Sequence, residues 1–512
     1  MLKIRNICML QRRWKSGKRR WNVLQHKKNN CDRALESFDD FYGSVYGGRW
    51  KNMRAALLTE HKYVAMVNNF GDTEQTCSML ELDGAINIKS LIQLAREREE
   101  TGTEHSLQRQ QTRAHYEIDD KLGALLRKQQ EREVAAIYPS AAEDGHVPPQ
   151  QLNYEKNNNS NNNNVQEEQP GSGSKQAEFK QSLTRALEQD VQLDSSRLVD
   201  PQFGTGGLYE YVPASTIKGM EDWVPESEHY KYYQTSTDFP LIIEPEAIFQ
   251  YPEHLAIYTY EIGNCAEFKP PRQCLTGVLS HFLMDGASVL PPLFLQVQPG
   301  ERVLDACAAP GGKSLLMLQT LHLDQLVCND VQESRLNKLR RVMQEYLFDY
   351  KQRWAGKRLI FSQSDARNLD EYGSYDKILV DVPCTTDRHV LMHRDNNIFK
   401  PTRIKERLRI PELQAGILAN CLRLLKPGGS LVYSTCSLSP VQNDGVVHMA
   451  LQKVFTEHGI TARIRDLSQH TALFSDIYRF EQPKGLKYGQ MVLPYLPANF
   501  GPMYFSKITR NT

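Results

Sequence analysis

The sequence predicts an α/β protein built on a Rossmann-like, doubly wound, mostly parallel sheet, and three observations carry that expectation. From Arg302 onward, short apolar and β-branched runs alternate with amphipathic stretches of helical length, the rhythm of β-α-β units in which parallel strands are joined by crossover helices. The first run leads directly into Cys307-Ala308-Ala309-Pro310-Gly311-Gly312-Lys313-Ser314, a glycine-rich turn of the kind that lets backbone approach a ligand. The second run ends on Asn329-Asp330, eighteen residues beyond Gly312, close to the roughly 20-residue spacing at which an acid accepts hydrogen bonds from ribose hydroxyls. The expected ligand is therefore nucleoside-bearing.

Taken from its start, the chain divides by composition. Residues 1–30 carry ten Lys/Arg and no Asp/Glu, with Ile4, Ile7, Met9, Leu10, Trp14 and Trp21 among the charges. That pattern suits an amphipathic mitochondrial transit peptide; the alternative is a basic arm on nucleic acid. Residues 31–95 are mixed and partly apolar, small for an independent core, and are expected to dock on the main domain. Residues 96–200 turn polar: a charged, helix-prone piece from Arg96 to Val134, then Asn157 to Asn164 and Gly171-Ser172-Gly173-Ser174. Such a stretch buries too little apolar surface to order itself and reads as a disordered linker. Residues 201–512 turn globular in composition and are expected to form the main domain, with a lead-in at Gly219-Met220-Glu221-Asp222-Trp223-Val224-Pro225 and a helical piece around 278–290. Strands are predicted at 302–306, 325–329, 358–361, 377–381 and 430–434, and helices at 313–321, 333–347 and 412–425.

Composition excludes several classes. No window approaches the ~18 consecutive apolar residues of a membrane-spanning helix. The ten cysteines are scattered, with no CxxC pair and no Cys/His cluster at zinc spacing, so free thiols in a reducing compartment are expected, and no metal. His115-Tyr116-Glu117 with Pro383-Cys384 is similar to part of a zinc-deaminase signature, but the second cysteine would fall at Asp387. A phosphate-binding P-loop fails as well, because GxxxxGK[ST] needs glycine at Cys307. The formal net charge is +1; subtracting the ten N-terminal positive charges leaves the body at −9, so global positive charge does not draw it to a polyanion.

The remaining candidates follow strand ends. Asp330 is a ribose acceptor or a helix N-cap, and Asp365, just past the third strand, is placed to meet the base of the cofactor. Strand four ends in Asp381-Val382-Pro383-Cys384 and strand five in Ser434-Thr435-Cys436-Ser437. On position alone Cys436 is inert packing, but two cysteines independently following strand ends at one crevice are hard to explain that way. Ser439-Pro440 looks like an N-cap with proline at the first helical position, and a helix starting there would favour the Cys436 thiolate. Between the cysteines lie Arg388, His389, His393, Arg394, Lys400, Arg403, Lys405, Arg407 and Arg409 around Phe399, a candidate phosphate-contacting segment whose alternative is a solvated helix face.

The glycine loop, the Asp-Val-Pro-Cys turn and Ser-Thr-Cys-Ser, in this order on these elements, resemble the NOL/NOP/Sun (NSUN) RNA cytosine-5 methyltransferases over roughly residues 200–512. Asp381-Val382-Pro383-Cys384-Thr385-Thr386-Asp387-Arg388-His389, the Gly219 to Trp223 segment and Asn499-Phe500-Gly501-Pro502-Met503-Tyr504-Phe505 look most like the family's fourth, mitochondrial member. The resemblance implies S-adenosylmethionine (SAM) as cofactor, held by Ala309, Pro310, Gly311, Gly312, Lys313, Ser314, Asp330, Arg335, Asp365 and Asp381. It implies Cys436 as the nucleophile, Cys384 as the thiol that assists product release, and Asp381 as a hydrogen-bond partner of the flipped cytosine. It further implies small-subunit ribosomal RNA of mitochondria as substrate, the matrix as location and a protein partner of the mTERF type. Two rivals stand beside it: a DNA cytosine methyltransferase, whose nucleophile is the Pro-Cys thiol, and a ribosome-assembly scaffold with dispensable catalysis.

Overall fold

The computed structural model describes residues 29–100, 239–481 and 486–511. The transit-peptide stretch (all but its last two residues), the lead-in at 219–225 and nearly all of the 96–200 linker lie outside the described residues. The first described element is α1 (Asn30–Tyr46). Asn29 closes a capping box on it, its side chain accepting from Asp32 N at 2.8 Å while Asp32 accepts from Asn29 N at 3.1 Å, which satisfies two otherwise orphaned donors. Ala34, Phe38, Tyr42 and Tyr46 recur every fourth position and are all buried, so one stripe of α1 packs inward. After α2 (Trp50–Leu57) come β1 (Tyr63–Val67), α3 (Thr73–Leu82), β2 (Ile86–Asn87) and α4 (Ile88–Glu100).

Beyond the undescribed stretch follow β3 (Ile242–Pro245), β4 (Ile257–Thr259) and β5 (His281–Asp285). Two strands from residues 63–87 and two from 257–285 interleave in an antiparallel sheet of order β2-β4-β1-β5. Phe282 of β5 lies against Gly312 of the glycine loop, so this small sheet is packed beside the cofactor turn.

The main sheet contains β6 (Arg302–Asp305), β7 (Gln325–Asn329), β8 (Leu359–Ser362), β9 (Tyr375–Asp381), β10 (Leu425–Thr435), β11 (Ala462–Asp466), β12 (Gln490–Val492) and β13 (Met503–Arg510). Its order is β3-β11-β13-β10-β9-β6-β7-β8, with β12 paired to β13. The five strands expected from the sequence are β6 to β10, all mutually parallel. Of the helices, α5 (Gly312–Gln319), α6 (Glu333–Tyr346), α7 (Asp387–Met392), α8 (Ile410–Leu424) and α9 (Val446–His458) matter below. The helical piece expected around 278–290 is instead strand β5 and a short turn, with a helix beginning only at Leu290. The expectation also misses β3, β11, β12 and β13, the last of which runs antiparallel between β10 and β11. Its apolar run is interrupted by Lys507, a side chain buried here and paired with Glu246 at 3.2 Å. A lysine in the middle of a strand reads as an exposed face, and only the tertiary ion pair reverses that.

Candidate active site

β6, β9 and β10 are adjacent and parallel, so the loops that follow them open on one edge of the sheet, where ligands of such sheets bind. The register sets Ser434 beside Asp381, and Val382 N donates to Ser434 O at 3.2 Å. The two cysteine loops therefore leave neighbouring strand ends.

Next to them lies the glycine loop. Gly311 takes φ +115°, a region closed to side-chain-bearing residues, and a Cβ there would run into Leu339. Ala308 N donates to Asn329 O at 2.8 Å, holding the loop over β7. Arg335 on α6 donates to Ala309 O at 2.6 Å and brings a second guanidinium nitrogen to 3.6 Å from Asp330, tying the loop to the acid. Asp330 is not the N-cap: the helix is capped at Gln332 with no side-chain bond, Asp330 Oδ1 accepts from Gln332 N at 2.9 Å within the preceding turn, and Oδ2, with only the Arg335 charge at 3.6 Å, is buried without a hydrogen-bond partner. A buried acceptor left open is costly unless a donor arrives, so the residues present fit the ribose of a nucleoside cofactor.

Two other predicted cofactor residues are placed differently. Ser314 turns into the core, donating to Asp305 Oδ2 at 2.5 Å. Asp365 reaches the same sheet edge because buried Asn329 bridges to Ser364 O and N at 2.9 and 3.1 Å. Its carboxylate is occupied by Arg367, at 2.6 Å for the shortest contact, and these hydrogen bonds hold it below the usual carboxylate range.

Asp305 is a member of the site that the sequence reading missed. It ends β6 directly beneath the loop, fully buried, with Oδ1 lacking any partner. Burial pushes its carboxyl up to about 7. The available signal was an acid closing the apolar strand Arg302–Asp305 immediately before a glycine turn.

Asp381, at the end of β9, accepts from Lys313 Nζ at 2.6 Å and from Ser434 Oγ at 2.8 Å. Burial alone would lower the Lys313 ammonium, but Asp381 outweighs it and holds the lysine charged. Beside this pair the sulfurs of Cys384 and Cys436 are 3.0 Å apart. The Cys436 thiol is pushed well above its ordinary range, first by the contact with Cys384, then by burial and by the charges of Asp381 and Asp387. This corrects the expectation of a thiolate stabilised by a helix N-terminus. The turn after Cys436 begins at Val441 behind Pro440 with no side-chain cap, and the neighbouring sulfur dominates.

The proposed phosphate segment is corrected in part. Arg388 donates to the carbonyls of Gly501, Ala56 and Thr59 and to Asn499 Oδ1, all at 2.8–2.9 Å, so it binds this chain's own backbone. Phe399 is buried under the Arg407 guanidinium, 4.4 Å from its ring centroid, and Arg403 pairs with Glu406. His389, His393, Arg394 and Lys405 remain on the exposed side.

Among the described residues no group of three or more His, Cys, Asp or Glu side chains is arranged to hold a metal, and no helix is long and apolar enough to cross a membrane. A cavity of about 430 Å³ lined by Lys62, Leu91, Thr259, Ile262, Ile477 and Phe500 among others contains none of the residues above.

The chain is similar to known methyltransferases. Residues 292–507 match the family model of the 16S rRNA methyltransferases RsmB/F. The chain is 30% identical over 512 residues to the 5-cytosine rRNA methyltransferase nsun-4 of Caenorhabditis elegans, spanning 98% of this chain and 97% of that one. It is 45% identical over 257 residues to the 5-cytosine rRNA methyltransferase NSUN4 of Xenopus tropicalis, 50% of this chain and 63% of that one. It is also 32% identical over 271 residues to the mitochondrial tRNA (cytosine(34)-C(5))-methyltransferase of Mus musculus, covering 52% and 73% of the two chains.

Proposed function

We propose, for a chain that belongs to the NOL/NOP/Sun (NSUN) family of SAM-dependent RNA cytosine-5 methyltransferases, that it methylates carbon 5 of a cytosine in mitochondrial small-subunit ribosomal RNA through a covalent cysteine adduct. The observation that carries the reading is the pair of sulfurs 3.0 Å apart beside the Lys313–Asp381 pair, which ties the cofactor loop to the ends of the two strands that lead into the cysteines. The ribosomal substrate is supported by the names of the two NSUN4-type relatives, and the mitochondrial location by a relative of that compartment and by the basic, acid-free first thirty residues.

SAM, when bound, supplies an electrophilic methyl group for carbon 5. Asp330, Arg335 and the backbone of Ala309 to Gly312 would hold it. Carbon 5 of cytosine is a poor nucleophile, so Cys436 adds to carbon 6 and leaves an enamine in the ring. At rest Asp381 is one of the charges that keep Cys436 protonated. A cytosine that takes hydrogen bonds from its surroundings and donates its amino group to Asp381 neutralises part of that charge, which favours thiolate formation as substrate arrives. A base then takes the carbon 5 proton, the 5,6 double bond re-forms, and the carbon 6–sulfur bond breaks with its electron pair returning to Cys436 as thiolate, a departure that Cys384, 3.0 Å from that sulfur, assists.

In this reading residues 31–95 and 201–512 work as one unit, 1–30 is a removable transit peptide and 96–200 is a linker. The body carries net negative charge and spends Arg388 internally, which makes an RNA-binding partner of the mTERF type reasonable.

The test incubates Cys436→Ala and Cys384→Ala with SAM and mitochondrial RNA and assays methyl transfer and protein–RNA adducts. Abolished transfer is expected for the first and accumulated adduct for the second. Full activity in Cys436→Ala overturns the assignment, and the reverse pattern points to a DNA-type mechanism with Cys384 as nucleophile.

A further inference from the structure

The residues immediately following the two cysteines share one carboxylate. Thr385 Oγ1 donates to Asp387 Oδ1 at 2.5 Å, Ser437 Oγ lies 3.2 Å from the same oxygen, and Leu438 N donates to Asp387 Oδ2 at 2.8 Å. Thr385 and Ser437 also touch each other at 2.9 Å. Asp387, on α7, is fully buried and accepts from Thr385, Ser437 and Leu438. Its remaining partner comes from elsewhere: Tyr42 of α1 donates its hydroxyl to Asp387 Oδ2 at 2.7 Å and lies 3.3 Å from Ser437 Oγ. One helical turn on, Tyr46 donates to Leu438 O at 2.7 Å. The Tyr42 ring is itself fixed, stacked on Phe38 at 4.9 Å and edge-on to Trp50 at 5.4 Å. A buried carboxylate needs its acceptors filled, and here the N-terminal helix fills the one that the two cysteine loops leave open.

We propose that Asp387 and Tyr42 are positioning residues for the two-thiol site, and that the N-terminal helix, through the Tyr42 hydroxyl, sets the separation and orientation of Cys384 and Cys436. The inference rests on the functional reading above for its consequence in catalysis, but the geometry it concerns is measurable without it. None of the hydrogen bonds of either residue goes to the cofactor loop. Their effect therefore falls on the steps that use both sulfurs and not on cofactor binding.

Disulfide closure between the two thiols reports their spacing directly. In the full chain freed of reductant, diamide accepts one sulfur at its N=N bond. The second sulfur then displaces the adduct, giving a disulfide and the hydrazine, so that two thiols are oxidised as one diazene is reduced. The rate is followed by the two-hydrogen mass loss of the Cys384–Cys436 peptide pair. In Tyr42→Phe, which keeps the packed ring and deletes only the hydroxyl, closure is expected to slow about tenfold, the scale of one hydrogen bond to a charged group. In methyl transfer kcat should fall by a similar factor with KM for SAM unchanged. Closure at the wild-type rate, an unchanged kcat, or a rise in KM for SAM matching the loss in kcat each overturns the proposal, the last because it marks general loosening. If Tyr42→Phe does not fold, Asp387→Asn is read in the same way. A wild-type protein that closes its disulfide in a Tyr42-dependent manner yet transfers no methyl to RNA sinks the functional reading alone, and closure then decides this one.

Discussion

Asp305→Asn offers a sharp test of the buried machinery beneath the cofactor loop. The wild-type carboxyl is displaced from 3.8 to about 7, with burial the leading cause. The folded protein therefore binds a proton more tightly than the unfolded chain between those two values, and the stability associated with this group declines as pH rises through that window. About three pH units at roughly 1.4 kcal/mol each amount to about 4 kcal/mol at full ionisation, an upper figure because the neighbouring chain relaxes. Asparagine keeps the shape, can still accept from Ser314 Oγ, and never ionises. Its stability relative to wild type should therefore rise between pH 4 and pH 8 by several kcal/mol, read as the difference between urea unfolding free energies of the two proteins at each pH. Every other titrating group is common to both and drops out. Parallel pH profiles for variant and wild type would refute the argument that Asp305 is a proton-binding group held in the core.

The other predictions concern the thiols and the cofactor turn. Removing the sulfur that most raises the Cys436 thiol, in Cys384→Ala, should move the iodoacetamide alkylation profile of Cys436 to lower pH; an unmoved or higher midpoint would contradict it. Asp330→Asn replaces the charged acceptor whose Oδ2 stands open, and the loss of about 2 kcal/mol should weaken SAM roughly thirtyfold in calorimetry with little change in thermal midpoint. Gly311→Ala forces a side chain into φ +115° against Leu339; about 1–3 kcal/mol of strain should appear as reduced stability together with weakened SAM binding, and a neutral result would mean the loop adapts freely.

How much was legible in the chain depends on how local each signal is. β6 to β10 are continuous apolar runs flanked by turn residues, and their ends carried Asp330, Asp381, Cys384 and Cys436 with them, so the cofactor turn and the thiol edge could be read from pattern and spacing. β13 was obscured because Lys507 is paired only in three dimensions. The state of Cys436 came out with the wrong sign because a local helix start was weighed, whereas the decisive neighbour is a sulfur 52 residues away across two adjacent strands. Arg388 looked like an RNA contact from its charge and neighbours; the carbonyls that claim it come from 56–59 and 501. The hub at Asp387 has no local signature, since its fourth partner, Tyr42, is 345 residues distant.

That last separation has a consequence for how the protein is made. At roughly 5–20 residues per second of synthesis, α1 leaves the ribosome about 20–70 s before Asp387 does. During that interval the buried stripe of Ala34, Phe38, Tyr42 and Tyr46 has no surface of its own to cover it, and the helix waits as an unsatisfied amphipathic segment. The loop bearing Cys436 is translated later still, so the working site is among the last features to form. A chain lacking α1, or one not yet extended past the loop of Cys436, cannot assemble it.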